Sequence, residues 1–388
     1  MTETMLFSEF TLRDVAFKNR IVASPMWQYC GKEGFPTDWH LMHLGRLADG
    51  GSGLVCQEGT VVEPRGRGSL GDLGLWDDKY VEPLSRIVDL VRANGAVPGI
   101  QLMHAGRKAR RKPPTEGRGP MERSAGIPDW DAWHPIAPTG KVLGGEPEAP
   151  REMGLSDVTF VIDAFAAAAA RARRAGYDVI NLHAAHGYLI HSFLSPLTNE
   201  RKDRYGGRFE NRIRFLMEIV DGVRGVWDDR KPVVLRLSCI DNAGWEIEHT
   251  IALARLLRAA GVDAIDCSSG GLLGSPLPTG VVPAYGYQVK YAAHVRRETG
   301  IPTVAVGLIV HAEQAEQILQ DGSADMVALA RELIYNPNWP IDAAQKLGAD
   351  PGFARTPPRT GFWLASRAAT KPDLVPSTFD VSGRPSVG

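Results

Sequence analysis

The sequence predicts an α/β protein folded as a single (β/α)8 TIM barrel, because short apolar runs alternate with helical patterns along most of its length. Eight runs are apolar almost throughout, as parallel strands are when helices cover both faces of their sheet. These predicted strands span residues 20–25, 53–61, 97–104, 178–183, 233–237, 264–268, 303–307 and 326–330. Eight strands that alternate with helices favour a closed barrel over an open sheet.

The helices are predicted from apolar stripes that begin near polar residues and stop at glycines. Residues 79–94, for example, place Ile87 and Val91 on one face of a helix. Ser156 is expected to cap a long helix that ends at Gly176. The other helical patterns span residues 211–226, 250–261, 288–298 and 312–319.

Two segments break the alternation of strands and helices. Residues 107–153 are rich in Pro, Gly and charge and follow a strand, so they are expected to form a long loop on the functional face. Loops of this length serve as lids or binding loops, or are partly disordered. Residues 364–388 are expected to form an extended C-terminal tail that wraps a neighbour or is loose. The expected organisation is a barrel domain over residues 1–363 followed by this tail.

The composition narrows the class of partner. The 388 residues contain 44 Lys and Arg against 45 Asp and Glu, so nothing in the net charge favours nucleic acid or an acidic membrane. Four scattered cysteines without metal-ligand spacing indicate reduced thiols and a cytoplasmic protein. The N-terminus lacks the cationic and apolar regions of a secretory signal, and no apolar run is long enough to span a membrane.

Polar residues just beyond barrel strands are functional candidates, because that face carries the active sites of TIM barrels. His183 and His186 follow the fourth predicted strand and converge only if the chain turns there, which Gly187 makes plausible. Two convergent imidazoles bind an anionic or developing anionic oxygen. The pattern leaves two alternatives open, a metal pair, which needs a further ligand that is not obvious, and a purely structural role.

Three other strands contribute candidates of the same kind. Gln101 ends the third strand, where an amide pairs with a heterocycle edge or is simply polar, and Lys108 follows it. Arg236 lies inside an apolar strand and needs a partner, either an anion or electron-rich ring at the barrel top, or a structural ion pair. Gly307 and Arg331 follow the seventh and eighth strands, where many barrels bind phosphate through backbone N–H groups.

Taken together, these pieces resemble the old yellow enzyme family, and more closely its bacterial branch of small, thermophile-type ene-reductases. The resemblance extends from about Leu6 to Trp363 and rests on the number, order and spacing of its motifs. These motifs are KNRIV at 18–22, SPM at 24–26, QLMHAGRK at 101–108, IAP at 136–138, HAAHGYL at 183–189, FLSP at 193–196, DRYGG at 203–207, ENR at 210–212 and the segment 325–331.

The resemblance implies a bound FMN, with NADPH or NADH as hydride donor. The residues that would surround the isoalloxazine are Pro25, Met26, Gly59, Gln101 and Arg236. The residues that would hold the FMN phosphate are Gly307, Ala330 and Arg331. Ala330 stands where the family usually has Gly, and little effect is expected because that contact uses the backbone.

The resemblance also implies the reaction, which is reduction of the activated C=C bond of an α,β-unsaturated carbonyl or nitro compound. His183 and His186 would bind the activating oxygen of the substrate while hydride passes from flavin N5 to the β-carbon. Tyr188 would then protonate the α-carbon. Tyr29 and Lys108 would lie on the substrate side.

One residue departs from the family pattern, and two others bear on the assembly. Trp27 stands where this branch usually has a cysteine, and it is expected to narrow the substrate side and shift the flavin potential. Arg359 and Trp363 lie about where relatives place a residue into the active site of a neighbouring subunit. That position implies a homodimer or homotetramer, and the alternative is a surface tail.

Other functions remain open at this stage. A family member could act oxidatively or on a specialised substrate such as a dienoyl thioester, a cyclic enone or an N-methyl compound. A flavin-free, metal-dependent hydrolase would use His183 and His186, and a non-catalytic flavin protein would use neither. The expectation adopted here is a flavoenzyme without a metal site.

Overall fold

Eight parallel strands form a closed barrel in the computed structural model, which describes residues 4–123, 127, 129–144, 146, 148–273, 277 and 282–371. Each strand pairs with the next along the chain, and the eighth pairs with the first, which closes the barrel. The strands are β1 Ile21–Ala23, β2 Leu54–Val61, β3 Val97–Met103, β4 Val179–Ala184, β5 Val233–Ser238, β6 Ala264–Ser268, β7 Thr303–Ala305 and β8 Met326–Leu329. The predicted (β/α)8 barrel is therefore confirmed.

Helices follow the strands and cover the outside of the barrel. The main ones are α1 Asp38–Asp49, α2 Val81–Ala93, α3 Leu155–Ala175, α4 Arg214–Arg224, α5 Ile247–Ala259, α6 Val289–Thr299, α7 Ala312–Gln320 and α8 Trp339–Lys346. Shorter helices lie at Leu189–Leu194, Phe209–Arg212 and Arg331–Tyr335, and a C-terminal helix spans Pro358–Thr370. Single 3₁₀ turns lie at Pro64–Gly66, Asp78–Tyr80, Gly106–Lys108 and Pro114–Glu116. None of the helices among the described residues is long and apolar enough to cross a membrane.

Two helix predictions need correction. The N-cap of α3 is Gly154, whose backbone N–H donates to the carboxylate of Asp157, so Ser156 lies inside the helix and does not cap it. The end of this helix is as predicted, because Gly176 adopts a left-handed conformation with φ 93°. The helix predicted over residues 211–226 is two helices that meet at Ile213.

A short hairpin closes the amino-terminal end of the barrel and was not predicted from the sequence. Its strands, Phe10–Leu12 and Val15–Phe17, pair antiparallel before β1 begins. Leu12 and Phe17 are buried against the side chains that fill the lower barrel. Burial of one such aromatic side chain stabilises the fold by about 2–3 kcal/mol. These filling side chains include Val22, Leu54, Val179, Val234, Ala264, Val304, Met326 and Ala328.

The pairing register sets which polar side chains meet at the other end. Gln101 of β3 lies opposite Gly59 of β2 on one side, after a bulge in β2, and opposite Asn181 of β4 on the other. Arg236 of β5 lies opposite His183 of β4. The barrel therefore places residues from four strands at its carboxyl-terminal mouth.

Two arginines cross-link the long segment after β3. The Arg107 guanidinium donates to both carboxylate oxygens of Glu146, at 2.5 and 3.0 Å. Arg110 donates to the backbone carbonyls of Trp130 and Trp133. Within the segment, Ile136–Ala137 pairs with Arg151–Glu152. Much of the described part of this predicted loop is therefore folded, and the Trp133 indole ties it to the segment after β2 by donating to the Arg67 carbonyl.

Candidate active site

The chain turns sharply after β4, and the turn brings His183 and His186 together. His186 and Gly187 both adopt left-handed conformations, with φ 59° and 77°. The two imidazole rings lie 5.1 Å apart between centroids and nearly perpendicular to one another. The sequence indicated this turn through Gly187, and the strained conformation of His186 completes it.

Both imidazoles are neutral at physiological pH. Burial lowers the pKa of His183 well below its usual range, and the Arg236 charge lowers it further. Burial likewise lowers the pKa of His186, with His183 as the next cause. The backbone N–H of Ala185 donates to His183 Nδ1 at 3.2 Å, so the proton of the neutral His183 ring lies on Nε2. His186 Nε2 lies 2.7 Å from the Ser268 hydroxyl, which orients its ring.

Tyr188 completes the group. Its ring lies 4.9 Å from the His183 ring and 5.4 Å from the Trp27 ring, edge-on to both. Burial raises the pKa of Tyr188, so the phenol keeps its proton. A protonated phenol beside two neutral imidazoles gives three O–H and N–H groups in one place.

Lys108 holds the turn in place from behind. Its ammonium donates to the backbone carbonyl of His186 at 2.6 Å and to that of Gly271. It also lies 5.4 Å from the centroid of the Tyr188 ring, within reach of a cation–π interaction. Burial lowers the pKa of Lys108 to about 8. These contacts fix the backbone between His186 and Tyr188, two of the candidate catalytic residues.

A second polar group lies across the mouth of the barrel. Arg236 Nη1 donates to the Ser24 hydroxyl at 2.8 Å and lies 3.3 Å from an Asp266 carboxylate oxygen. The structural ion pair left open by the sequence is therefore present. Arg236 Nε is nevertheless buried without a hydrogen-bond partner among the described residues. Gln101 donates to the Asn181 side chain at 3.0 Å.

These side chains line two adjoining cavities, which share His186 and Arg236. The central cavity has a volume of about 170 Å³. It is lined by Pro25, Trp27, Gly59, Gln101, Met103, His183, His186, Tyr188 and Arg236. The side cavity has a volume of about 370 Å³ and runs past Ser268 and Gln288 to Gly307, Ala330 and Arg331. The arrangement is a bent groove with an aromatic and imidazole end and an arginine end.

Two glycines keep this groove open. A Cβ at Gly59 would lie 2.5 Å from Met103 Sδ and 3.0 Å from Trp27 Nε1. Gly307 has φ 107°, and a Cβ there would lie 3.0 Å from the Gln288 side chain. Any larger residue at either position would force its neighbours to move.

Trp27 forms a wall between the central cavity and a third space, named here the outer chamber. The indole Nε1 donates to the Gly59 carbonyl at 2.8 Å, which fixes the ring, and the Tyr29 ring lies 5.6 Å away. Burial raises the pKa of Tyr29 to about 12. The outer chamber has a volume of about 400 Å³. It is lined by Trp27, Tyr29, Gly68, Ser69, Lys108, Arg111, Lys112, Pro114, Arg118 and Tyr188.

Three candidates from the sequence lie elsewhere. Met26 does not line either groove cavity and packs against the main hydrophobic core. Arg359 and Trp363 lie on the C-terminal helix, away from the residues that line the three spaces. Within one chain, therefore, they do not join the candidate site.

Sequence reasoning missed several polar residues of the site, namely Ser24, Asn181, Asp266, Ser268 and Gln288. Asp266 carried the same signal as Arg236, a charge within an apolar strand, and β6 sits beside β5 in the barrel order. The others are neutral polar residues whose position depends on strand register and loop geometry. Among the residues that the structure describes, no three His, Cys, Asp or Glu side chains form a group that could hold a metal ion.

Comparison with known proteins assigns the family. Residues 5–350 match the model of the NADH:flavin oxidoreductase / NADH oxidase family. The chain is 45% identical to an NADPH dehydrogenase of Geobacillus sp. (strain WCH70) over 350 residues, which cover 89% of this chain and 95% of that one. The chain therefore belongs to this family, which is the old yellow enzyme family, and is an oxidoreductase that works with FMN and NAD(P)H.

Solved structures agree with this assignment. Morphinone reductase in complex with tetrahydroNAD superposes with a TM-score of 0.73 at 25% identity, over 89% of this chain and 92% of that one. A 2-naphthoyl-CoA reductase bound to 2-naphthoyl-CoA superposes with a TM-score of 0.78 at 25% identity. That match covers 88% of this chain but only 52% of the longer reductase chain.

Proposed function

We propose that this chain reduces the activated C=C bond of α,β-unsaturated carbonyl or nitro compounds, with NADPH or NADH as hydride donor. One observation carries the proposal. His183, His186 and Tyr188 converge, neutral and protonated, on the same central cavity that contains Gln101 and Arg236. Such a group polarises a carbonyl or nitro oxygen and supplies a proton nearby.

The groove fits FMN on the evidence of its own atoms. Arg236 Nε is buried with no hydrogen-bond partner among the described residues, and Gly307 exposes bare backbone to the side cavity, where a Cβ would lie 3.0 Å from the Gln288 side chain. Gln101 and Arg236 would hold the ring system, and Gly307, Ala330 and Arg331 the phosphate. When bound, FMN supplies the hydride-transfer chemistry that the protein side chains lack.

The protein residues orient the acceptor and stabilise developing charge. His183 offers Nε2–H, because its Nδ1 already accepts a hydrogen bond. His186 is held against Ser268 and adds a second imidazole on the same side. Neutral donors stabilise charge that builds on the acceptor oxygen without first binding an anionic ground state tightly.

Tyr188 would hold the proton that the α-carbon receives. Its raised pKa keeps it protonated, and its ring is fixed between His183 and Trp27. Tyr29 lies on the far side of Trp27 and would serve as a second hydroxyl on the substrate side. Lys108 would act by holding the His186 carbonyl.

Trp27 supports a second candidate function, a specialised or oxidative reaction on a dienoyl thioester, cyclic enone or N-methyl compound. The indole is fixed to the Gly59 carbonyl and lines the central cavity, so it restricts the shape of the acceptor. The same convergent imidazoles and phenol would serve either reaction. The difference lies in which acceptors fit beside the indole.

We further propose that the protein works as a homodimer or homotetramer in the cytoplasm. Phe362 and Trp363 pack against each other on the C-terminal helix and remain 65% and 72% exposed in one chain. A neighbouring subunit would cover them and receive Arg359 near its site. The four cysteines are free thiols, which supports a reducing compartment.

The proposed division of the chain is a barrel domain over residues 1–363 and a C-terminal tail over 364–388. The helix Pro358–Thr370 crosses this boundary, so the tail begins within a helix. Residues 372–388 of the tail lie outside the described residues.

The test is the anaerobic visible spectrum of the purified protein, first with NADPH and then with cyclohexenone. Flavin bands that bleach with NADPH and return with the enone would support the ene-reductase proposal. Bands that bleach and do not return would favour an oxidative reaction or a different acceptor, such as a dienoyl thioester or an N-methyl compound. A protein that takes up no FMN would contradict both.

A further inference from the structure

The outer chamber is strongly cationic. Its wall carries Lys108, Arg111, Lys112 and Arg118, all from the first part of the segment after β3. The described residues that line it include no carboxylate. Because the chamber shares Trp27 and Tyr188 with the central cavity, a molecule that reacts beside Tyr188 can extend into it.

The cations differ in how far they are committed to other groups. Lys108 is bound to two backbone carbonyls and adds a fixed positive charge. Lys112 lies 3.9 Å from the exposed carboxylate of Glu122, a pair of little strength in water. Arg118 lies on an exposed turn with φ 58°, and its guanidinium contacts no carboxylate among the described residues. Lys112 and Arg118 are therefore the groups able to bind a ligand.

The charge of Arg118 acts on the catalytic group itself. Burial raises the pKa of both Tyr29 and Tyr188, and the Arg118 charge opposes the rise at each. Arg118 shares the lining of the outer chamber with both phenols, so its charge acts on each of them.

The main opposing charge is weak. Asp72 is buried behind the chamber wall, where its carboxylate accepts from the backbone N–H groups of Gly68 and Ser69 and from the Ser69 hydroxyl. Burial raises the pKa of Asp72 to about 7, so near neutral pH it carries only part of a negative charge. The residues that line the chamber therefore carry a net positive charge.

We propose that the outer chamber binds an anionic group, a phosphate or a carboxylate, on the molecule whose reacting end lies beside Tyr188, with Arg118 and Lys112 as its contacts. The proposal rests on the proposed function, because it names the second point of attachment for the same reactants. Two sources share this chemistry. One is a phosphate of the hydride donor, and the other is a carboxylate carried by the acceptor.

The experiment compares wild type, Arg118→Gln and Lys112→Gln/Arg118→Gln in two matched pairs of ligands. NADPH and NADH differ only in the 2′-phosphate, and 4-carboxycinnamaldehyde and cinnamaldehyde differ only in a remote carboxylate. Each half-reaction is followed by anaerobic stopped flow on the FMN-loaded protein. Equilibrium binding of NADP⁺ and NAD⁺ is measured by calorimetry, which does not depend on turnover. Arg123→Gln is the control, since Arg123 pairs with Asp131 in the same segment and does not line the chamber.

We expect Arg118→Gln to weaken binding of the anionic ligand about fivefold, which is the effect of one close charge pair in water. The double variant should weaken binding further. The effect should shrink as salt is raised. Weaker binding of NADPH alone identifies the 2′-phosphate as the bound group. Weaker binding of both NADPH and NADH identifies the pyrophosphate. Weaker binding of 4-carboxycinnamaldehyde alone identifies the carboxylate of the acceptor. If the double variant binds the two reduced nucleotides, the two aldehydes, NADP⁺ and NAD⁺ as well as Arg123→Gln does, the proposal is overturned. Failure of the proposed function has a different result, namely no FMN uptake or no bleaching by either nucleotide in wild type.

Discussion

The backbone N–H of Gly187 donates a 2.8 Å hydrogen bond to Nδ1 of His191. His191 is fully buried on the short helix that follows the turn with His183 and His186, and burial lowers its pKa, so the ring is neutral. Because Nδ1 accepts, the ring proton lies on Nε2, which is 3.7 Å from a carboxylate oxygen of Asp241. His191 thereby fixes the one residue between His186 and Tyr188.

Replacement of His191 tests this positioning role. His191→Phe leaves the Gly187 N–H without its acceptor, and we expect a loss of about 1–3 kcal/mol in the free energy of unfolding. We also expect kcat for enone reduction to fall by roughly tenfold, because the turn that carries His186 loses its anchor. His191→Asn keeps an acceptor and should recover much of the loss in kcat. If His191→Phe loses stability but keeps full kcat at saturating FMN, His191 is structural only.

Acid should destabilise the protein through the two buried imidazoles of the candidate site, His183 and His186. His183 and His186 have pKa values well below the usual 6.5, so they bind protons more weakly in the folded state than in the unfolded state. Their contribution to stability is complete above 6.5 and is lost as the pH falls below it, by up to about 1.4 kcal/mol per pH unit for each ring.

Thermal unfolding from pH 8 to 5.5 measures this loss. His183→Asn/His186→Asn should flatten the dependence of Tm on pH below 6.5, relative to wild type. Equal slopes for the two proteins would show that other groups cause the acid sensitivity.

Tyr188→Phe should separate the two half-reactions. Loss of the phenol removes the proposed proton donor, so oxidation of reduced enzyme by an enone should slow by roughly 10²- to 10⁴-fold. Reduction by NADPH and the FMN content should change little. Tyr29→Phe is the matched control, and its effect should be smaller because Tyr29 lies beyond Trp27. A similar slowing for both variants would assign the donor role to neither phenol alone.

Variants of the Arg236–Asp266 pair should separate the stability of the fold from its affinity for FMN. Arg236→Met leaves the buried Asp266 carboxylate without its cation, which should destabilise the fold by about 3–5 kcal/mol. Arg236→Met/Asp266→Leu removes both charges and should recover stability. FMN affinity, measured by flavin fluorescence, should stay low in both variants, because Arg236 Nε is a buried donor at the groove with no hydrogen-bond partner among the described residues. Recovery of FMN binding in the double variant would contradict its cofactor role.

Trp27→Cys should alter both the acceptor range and the flavin potential. The change removes an indole that lines the central cavity and frees the Gly59 carbonyl to which it donates. Bulkier cyclic enones should gain in kcat/KM relative to cyclohexenone. Trp27→Phe keeps a large ring without the hydrogen bond and separates the effect of volume from that of the carbonyl. An unchanged potential and unchanged acceptor profile in Trp27→Cys would rule out this role.

The sequence predicted those parts of the site that depend on strand periodicity and strand ends. His183 was found at a strand end, and Arg236 was conspicuous as a charge within an apolar strand. Their meeting follows from register, since the two residues lie opposite one another on neighbouring strands. Asp266 follows the same logic and could have been predicted.

Other features depend on interactions that no local pattern reveals. The hairpin Phe10–Leu12 and Val15–Phe17 has strands of three residues, too short for a periodic signal. Helix α1 was not predicted from the sequence, because the polar segment before it gives no clear signal for a helix start. Its first turn is capped through Thr37 and His40. The placement of Arg359 beside an active site would require a second chain.

The hairpin that closes the lower barrel also governs how reactants reach the proposed site. Phe17 is completely buried there, so the described part of the barrel offers no through-passage along its axis. Under the proposed function, the hydride donor and the acceptor both enter and leave through the carboxyl-terminal mouth, and each binds in turn beside Tyr188. An excess of either reactant should occupy this shared position and delay binding of the other. Each reactant should therefore inhibit the other competitively in the steady state.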